Sequence, residues 1–221
     1  MGNIKALVYS FKGGIGKTSI STAIINSISS EMVLITNDQY SPLETYLKEN
    51  RFIKLDRATL QLPKVKKGFD ILFDMGGYGD GRILDIVKQV DKIVIPFTRG
   101  VAEIKSAIAT IQEIKKYNNN IILVLNKAKK GQYEEMKTLF HEKLNYNYPL
   151  LEISESTAMS RVFELGKSVK DRVAEGGLAG HNFRKISKQI DALVLEITNK
   201  QNKVVNDNSI KKQENNDKKQ G

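Results

Sequence analysis

A glycine-rich loop close to the start of the chain constrains the fold of this protein more than any other feature. Residues 11–19 have the sequence Phe-Lys-Gly-Gly-Ile-Gly-Lys-Thr-Ser and stand between an apolar run, Ile4–Tyr9, and a segment with helical periodicity. The strict phosphate-loop pattern, G-x-x-x-x-G-K-[ST], requires glycine at position 11, where this chain has Phe11. A second lysine, Lys12, precedes Lys17 by five residues. The spacing predicts a variant phosphate-binding loop; a glycine-rich turn that only caps a helix is the alternative.

The residue types in this loop suit a nucleotide. Glycine adopts backbone conformations closed to residues with a Cβ, so the loop can turn its N–H groups towards an anion. The N-terminus of the following helix adds further N–H donors. Lys17 would contact the β- and γ-phosphates, Thr18 would place its hydroxyl on Mg²⁺, and Ser19 would donate to the α-phosphate. The predicted nucleotide-binding residues of the loop are Gly13, Gly14, Ile15, Gly16, Lys17, Thr18 and Ser19.

Mg²⁺ at such a loop needs a carboxylate at the end of a neighbouring strand. The run Gly68–Asp74 is Gly-Phe-Asp-Ile-Leu-Phe-Asp, so Asp74 follows a predicted buried strand, Phe69–Phe73. An acid there faces the ligand crevice and suits the Walker B role, in which it helps to hold Mg²⁺ through water. Gly76 and Gly77 would let the chain pass close to a γ-phosphate. The alternative is that Asp74 caps the next helix.

A second acid follows the strand predicted at Met32–Thr36. Asp38 lies just beyond the end of that strand, on the same side of the predicted sheet as Lys17. In this position it would orient the attacking water, as such groups do in phosphoryl transfer. Capping of a helix over Ser41–Asn50 is the alternative role for Asp38.

The rest of the chain alternates short apolar runs with helical patterns. The runs have Ile, Val and Leu at consecutive positions, which is typical of strands buried on both faces of a parallel sheet. The predicted strands are Ile4–Tyr9, Met32–Thr36, Phe69–Phe73, Lys92–Pro96, Ile121–Leu125 and Leu150–Ile153. The last strong helical face contains Phe183, Ile186, Ile190, Leu193, Val194 and Ile197. This alternation predicts a doubly wound α/β domain with a mostly parallel sheet, helices on both faces, and ligands beyond the carboxyl ends of the strands.

Composition excludes several kinds of site. The chain has no cysteine, which excludes disulfides, thiolate metal sites, iron–sulfur clusters and a cysteine nucleophile. No apolar run approaches the ~20 residues that a membrane span needs. The first residues lack the pattern of a signal peptide. We therefore expect a cytoplasmic protein without a membrane partner.

The charge and the last residues indicate a second region of different character. A formal net charge of +10 predicts an anionic partner such as nucleic acid. Residues 199–221 hold six Asn, three Gln and six Lys but few large apolar side chains. Such a segment cannot bury enough surface to become ordered. We therefore predict a domain over residues 1–198 and a disordered basic tail over 199–221, which either solubilises the chain or weakly attracts DNA.

The chain resembles the ParA/MinD family of deviant-Walker P-loop ATPases over residues 3–198. The resemblance rests on the loop at residues 12–18 and on three further stretches, Ile93–Pro96, Leu125–Lys127 and Gly166–Val169. Size and layout are similar to those of the short ParF-type plasmid partition ATPases. These lack an N-terminal helix-turn-helix domain, and here the first predicted strand starts at Ile4.

The resemblance implies an ATP cycle on DNA. ATP and Mg²⁺ would bind at Lys17 and promote a homodimer, in which Lys12, the signature lysine, reaches the nucleotide of the opposite subunit. Asp38 matches the catalytic aspartate, Asp74 the Walker B aspartate, and Asn126 a position that contacts adenine. Lys12, Lys17 and Asp38 would thus be the catalytic residues. The dimer would bind DNA non-specifically at the nucleoid, and a small centromere-binding protein of the ParB or ParG type would stimulate weak basal hydrolysis during plasmid or chromosome segregation.

Three positions depart from the family pattern. Thr36 stands where many members have another aspartate, Met75-Gly76-Gly77 replaces a small-Pro-Pro run, and Arg99-Gly100 replaces a Pro-Ser pair. Thr36 bears on the rate of hydrolysis more than on nucleotide binding.

Other functions share parts of this pattern. A MinD-like membrane-cycling ATPase needs an amphipathic C-terminal helix, which the tail does not provide. A non-hydrolysing nucleotide switch and a metabolic ligase with a related loop are further alternatives. For DNA we favour the C-terminal basic residues, although an exposed lysine or arginine is commonly just solvated. This group comprises Arg161, Lys167, Lys170, Arg172, Arg184, Lys185 and Lys188.

Overall fold

A seven-stranded parallel sheet forms the centre of the computed structural model. The structure describes residues 3–28, 31–56, 62–63, 65–66, 68–76, 81–157, 159 and 167–199. The strands are β1 (Lys5–Ser10), β2 (Met32–Thr36), β3 (Phe52–Lys54), β4 (Asp70–Gly76), β5 (Lys92–Phe97), β6 (Ile121–Ala128) and β7 (Leu150–Ser154). Their spatial order is β3-β2-β4-β1-β5-β6-β7, and every neighbouring pair is parallel. This confirms the predicted sheet.

Helices connect the strands and cover the sheet. They are α1 (Lys17–Ser27), α2 (Leu43–Tyr46), α3 (Ile83–Gln89), α4 (Val101–Ile114), α5 (Gln132–Lys137), α6 (Val169–Ala174) and α7 (Gly177–Thr198). A short 3-10 helix spans Glu49–Arg51, and a π-helical segment, Thr138–Lys143, continues α5. None of the described helices combines the length and the apolar character that crossing a bilayer requires.

Two apolar layers form, one on each face of the sheet. Alternate residues of β1 point to opposite faces, so Leu7 joins the layer beneath α3, α4 and α5, whereas Val8 joins the layer beneath α1 and α7. Both residues are fully buried. Because both faces are covered, the strands are apolar at consecutive positions, which is the pattern visible in the sequence. The doubly wound α/β class is therefore confirmed.

The strand boundaries differ in ways that matter for the site. The predicted strand Phe69–Phe73 is β4, which extends to Gly76, so Asp74 lies within a strand, paired in register with Thr36 of β2. The sequence does not predict the edge strand β3, because its three half-buried residues leave no periodic signal. Helix α7 ends at Thr198, and residues 200–221 lie outside the described part of the chain, so the disordered tail stays a prediction.

Candidate nucleotide-binding site

The glycine-rich loop joins the carboxyl end of β1 to the first residue of α1. Gly14 and Gly16 adopt positive φ angles of 74° and 89°, which residues with a Cβ rarely adopt. At Gly16 the space is closed as well, because a Cβ would lie 2.4 Å from Nδ2 of Asn126. Ile15 between them is buried and anchors the loop in the core. Glycine at position 16 is therefore required by both the backbone angle and the neighbouring side chain.

Side chains from two other elements hold the loop in place. Asn126, in β6, donates from Nδ2 to the carbonyl oxygen of Ile15 at 2.7 Å. Thr110, in α4, accepts a hydrogen bond from the backbone N–H of Phe11 at 3.3 Å. The Phe11 ring packs edge-on against Tyr9, with 5.7 Å between the centroids. Phenylalanine, where the strict pattern has glycine, is thus part of the packing beneath the loop. The predicted contact of Asn126 with adenine stays a prediction.

Lys17 lies at the centre of the site. Its ammonium group donates to the carbonyl oxygen of Lys12 at 2.9 Å. Burial lowers the pKa of Lys17, and the nearby negative charges of Asp74 and Asp38 oppose that shift. Gly16, the residue before α1, provides no side-chain cap, so the first N–H groups of the helix remain available to an anion. The Lys17 ammonium group and the N-terminus of α1 together place positive charge beside the carboxylates of Asp74 and Asp38.

Asp74 is a buried carboxylate, and one of its two oxygens lacks a hydrogen-bond partner among the described residues. It is 2% exposed. Burial raises the pKa of Asp74 from 3.8 to about 6, while Thr18, Lys17 and Ser21 act to lower it and the charge of Asp38 adds to the rise. Oδ2 has no hydrogen-bond partner of ordinary geometry within the described residues. A buried, unsatisfied carboxylate oxygen near the Thr18 hydroxyl suits a hard cation such as Mg²⁺, which prefers oxygen ligands.

Asp38 is held in a tight turn after β2. Its backbone N–H donates to Oγ1 of Thr36 at 3.1 Å, and its Oδ1 accepts the N–H of Tyr40 at 3.0 Å. Helix α2 begins at Leu43 with Pro42 at its N-cap position and no side-chain cap. The alternative in which Asp38 caps a helix over Ser41–Asn50 is therefore not what the structure shows. Asp74 likewise caps no described helix, since it lies within β4.

The second loop lysine, Lys12, is partly exposed and lies near an acid of α4. Lys12 is 46% exposed, and its Nζ lies 3.9 Å from Oε1 of Glu103 in α4. Nearby, Arg99 joins the β5–α4 connection to α5 through two hydrogen bonds to Glu135, at 2.8 and 2.9 Å. An exposed lysine at the carboxyl edge of the sheet is accessible to a second molecule.

The C-terminal basic group is largely paired with acids. Lys167 and Arg172 contact Glu175 at 2.8 and 2.6 Å, and Lys170 contacts Asp191 at 2.9 Å. Lys185 lies 4.0 Å from Glu152, and Arg161 is outside the described residues. These pairs reduce the positive charge that the group presents to a polyanion, so the favoured DNA patch receives little support from this geometry.

A glycine loop at the start of a helix, on the carboxyl edge of a parallel sheet, defines a P-loop nucleotide-binding domain. The family described as "CobQ/CobB/MinD/ParA nucleotide binding domain" matches residues 6–169. The chain belongs to this family.

Solved structures show the same fold at low identity. A plasmid partition protein of Borrelia burgdorferi bound to AMPPNP is 16% identical, with a TM-score of 0.59 over 88% of this chain and 99% of that chain. MinD of Aquifex aeolicus is 19% identical, with a TM-score of 0.57 over 86% and 97%. A ParA family ATPase of Chlorobium tepidum is 18% identical, with a TM-score of 0.59 over 88% and 99%. No curated protein sequence matches the chain.

Proposed function

We propose that this chain is a ParA-type ATPase that dimerises on ATP, binds DNA non-specifically and segregates a plasmid or chromosome region with a small centromere-binding protein. One observation carries the nucleotide part of this proposal. Lys17, the uncapped N-terminus of helix α1 and the buried carboxylate of Asp74, whose Oδ2 lacks a partner among the described residues, lie together at one edge of the sheet. The partition and DNA parts are supported by the family resemblance, the partition protein among similar structures and the net charge of +10.

The residues divide the work on ATP between them. Backbone N–H groups of residues 13–19 and the ammonium of Lys17 bind the phosphates and neutralise their charge. Thr18 and Asp74 would hold Mg²⁺, which supplies further charge neutralisation at the phosphates when bound. Asp38 orients the attacking water as its carboxylate accepts a hydrogen bond from it. Lys12 contacts the nucleotide of the second subunit.

Asp38→Ala is expected to bind ATP normally but to hydrolyse it at least ~10-fold more slowly, because a group that positions the water contributes to the rate and little to ground-state binding. Two quantities are measured: the turnover of ATP in the presence of DNA, and the affinity for ATP. The control is Asp85→Ala, which removes an exposed aspartate of α3. If turnover is unchanged in Asp38→Ala, Asp38 does not position the attacking water. If the wild-type protein itself shows no turnover, the result favours a non-hydrolysing nucleotide switch.

Lys12→Ala is expected to bind ATP and to remain a monomer, because the exposed ammonium is the group that would cross to the second nucleotide. Light scattering with and without ATP measures this, and retention on DNA at low salt should be lost together with the dimer. Lys105→Ala, which removes an exposed lysine of α4, serves as the control. An ATP-induced dimer of the Lys12 variant contradicts the assignment. Wild-type DNA binding that ignores ATP or salt contradicts the partition function.

A further inference from the structure

Asn37 connects the ends of two neighbouring strands. It directly follows Thr36, the last residue of β2, and its side chain contacts Gly76, the last residue of β4. The N–H of Gly76 donates to Oδ1 of Asn37 at 2.9 Å, and Nδ2 of Asn37 donates to the carbonyl oxygen of Gly76 at 3.1 Å. One side chain therefore satisfies both backbone polar groups of a residue 39 positions away.

The carboxamide acts as a substitute for a peptide group. Within a strand the N–H and C=O of one residue point to the same side, and a planar amide presents an acceptor and a donor in matching positions. The backbone register of β2 and β4 ends with Thr36 opposite Asp74. The side chain of Asn37 adds one more rung to this ladder after the main chain has turned away. Aspartate or leucine at position 37 cannot make both bonds.

The pairing also depends on the residue at position 76. Proline, which the resemblance to the ParA/MinD family would place there, has no N–H and cannot donate to Oδ1. Glycine itself is not required, since a Cβ at Gly76 would lie 3.6 Å from Cε of Lys17, an ordinary contact distance. The pairing with Asn37 therefore needs a residue other than proline at position 76, and this chain has one.

The residue next to this contact is Asp38. Its backbone N–H is already bound by Oγ1 of Thr36 at 3.1 Å. With Asn37 attached to Gly76, the turn carrying Asp38 is fastened to both β2 and β4. The charge of Asp38 acts on Lys17 and Asp74, so its position bears on the electrostatics of the site. Two hydrogen bonds of the Asn37 carboxamide thus link Gly76 to the residue directly before Asp38.

We infer that Asn37 is a positioning residue, which sets Asp38 relative to Lys17 and Asp74 by pairing with Gly76. This inference rests on the proposed ATPase function. Asn37 touches no reacting atom; it restricts the turn so that the carboxylate of Asp38 stays where the attacking water would be. Misplacing a catalytic group by about 1 Å lowers a rate by up to ~100-fold, so the effect falls on turnover and spares binding.

The test compares Asn37→Ala with wild type and with the control Gln39→Ala, a neighbouring amide bonded to the backbone of Leu55 instead of β4. We expect kcat to fall about 10- to 100-fold in the Asn37 variant with KM for ATP within about 2-fold. Hydrogen exchange should become faster at residues 36–41 and at Gly76. The Gln39 variant should keep the wild-type kcat.

An unchanged kcat, or an equal loss of kcat in the Gln39 variant, overturns the positioning role and leaves the proposed ATPase intact. A wild type without turnover removes the proposed function and this inference together. If Asn37→Ala fails to fold, Asn37→Asp takes its place, because it keeps the acceptor for the Gly76 N–H. For Asn37→Asp we expect the Gly76 amide to stay protected from hydrogen exchange and kcat to fall by less than ~10-fold. Wild-type kcat in this variant overturns the inference.

Discussion

Lys17→Ala is expected to lower the affinity for ATP by ~100-fold or more. A hydrogen bond to a charged group contributes about 1.5–3 kcal/mol, and Lys17 would contact two phosphates, so the combined loss exceeds ~100-fold in affinity. The effect is large because the ammonium is already partly desolvated: burial lowers the pKa of Lys17 against the pull of Asp74 and Asp38. Without it, two carboxylates face the phosphates with no opposing side-chain cation from α1.

Isothermal titration with ATP and with ADP measures this loss. The matched control is Lys116→Ala, which removes an exposed lysine beyond the C-terminal end of α4 and should leave the affinity unchanged. Circular dichroism checks that the Lys17 variant is folded, because Asp74 and Asp38 lose a nearby cation in this variant and the fold could be destabilised. Wild-type affinity in a folded Lys17→Ala protein would show that the glycine-rich loop is not the nucleotide site.

Asp74→Asn is expected to stabilise the nucleotide-free protein at neutral pH. Burial raises the pKa of Asp74 from 3.8 in the unfolded chain to about 6 in the fold. Between these two values the folded chain holds the proton more tightly, so the Asp74 contribution to stability falls as the pH rises through this window. Asparagine has the same shape without the charge. The variant should gain at most about 3 kcal/mol above pH 6, following ~1.4 kcal/mol per pKa unit.

Thermal melts across this pH window provide the measurement. The difference between Asp74→Asn and wild type should shrink as the pH falls from about 6 through 3.8 and vanish below that, where the carboxyl is protonated in both the folded and the unfolded state. Asp85→Asn, at an exposed site of α3, should show no such trend. ATP with Mg²⁺ should stabilise the wild type and have little effect on the variant. If Asp74→Asn is less stable than wild type at pH 8, the buried charge of Asp74 does not destabilise the nucleotide-free fold, and the prediction is wrong.

The loop and its two acids could be predicted from the sequence because their signals are local. Glycines at fixed spacing before Lys17 and Thr18 follow from what a backbone needs in order to surround an anion. Apolar runs at consecutive positions follow from burial on both faces of a sheet. Both kinds of pattern are short, so the class of fold and the placement of Asp74 and Asp38 near its carboxyl edge were accessible without coordinates.

Contacts over long separations could not be predicted in this way. Asn126 supports the loop from 111 residues away, and Thr110 reaches Phe11 over 99 residues. The Leu125–Lys127 stretch singles out Asn126 for a contact with adenine but not for its bond to the loop, and Thr110 has no local pattern that distinguishes it from a solvated polar residue. The same holds for Asn37, whose only sequence signal is a polar amide at the end of a strand. Such pairs become visible once the order of the strands is known.

The sequence by itself thus determined a doubly wound α/β domain with a phosphate-binding loop, because backbone geometry and burial are recorded residue by residue. Only the tertiary structure decided which distant side chains surround the loop and how they are paired. It placed the Asn126 amide against Gly16, buried Asp74 with one oxygen that has no partner among the described residues, and joined Asn37 to Gly76. It also paired C-terminal cations with acids. These properties depend on which distant groups meet in space, and a glycine-rich loop acquires its defined shape from them.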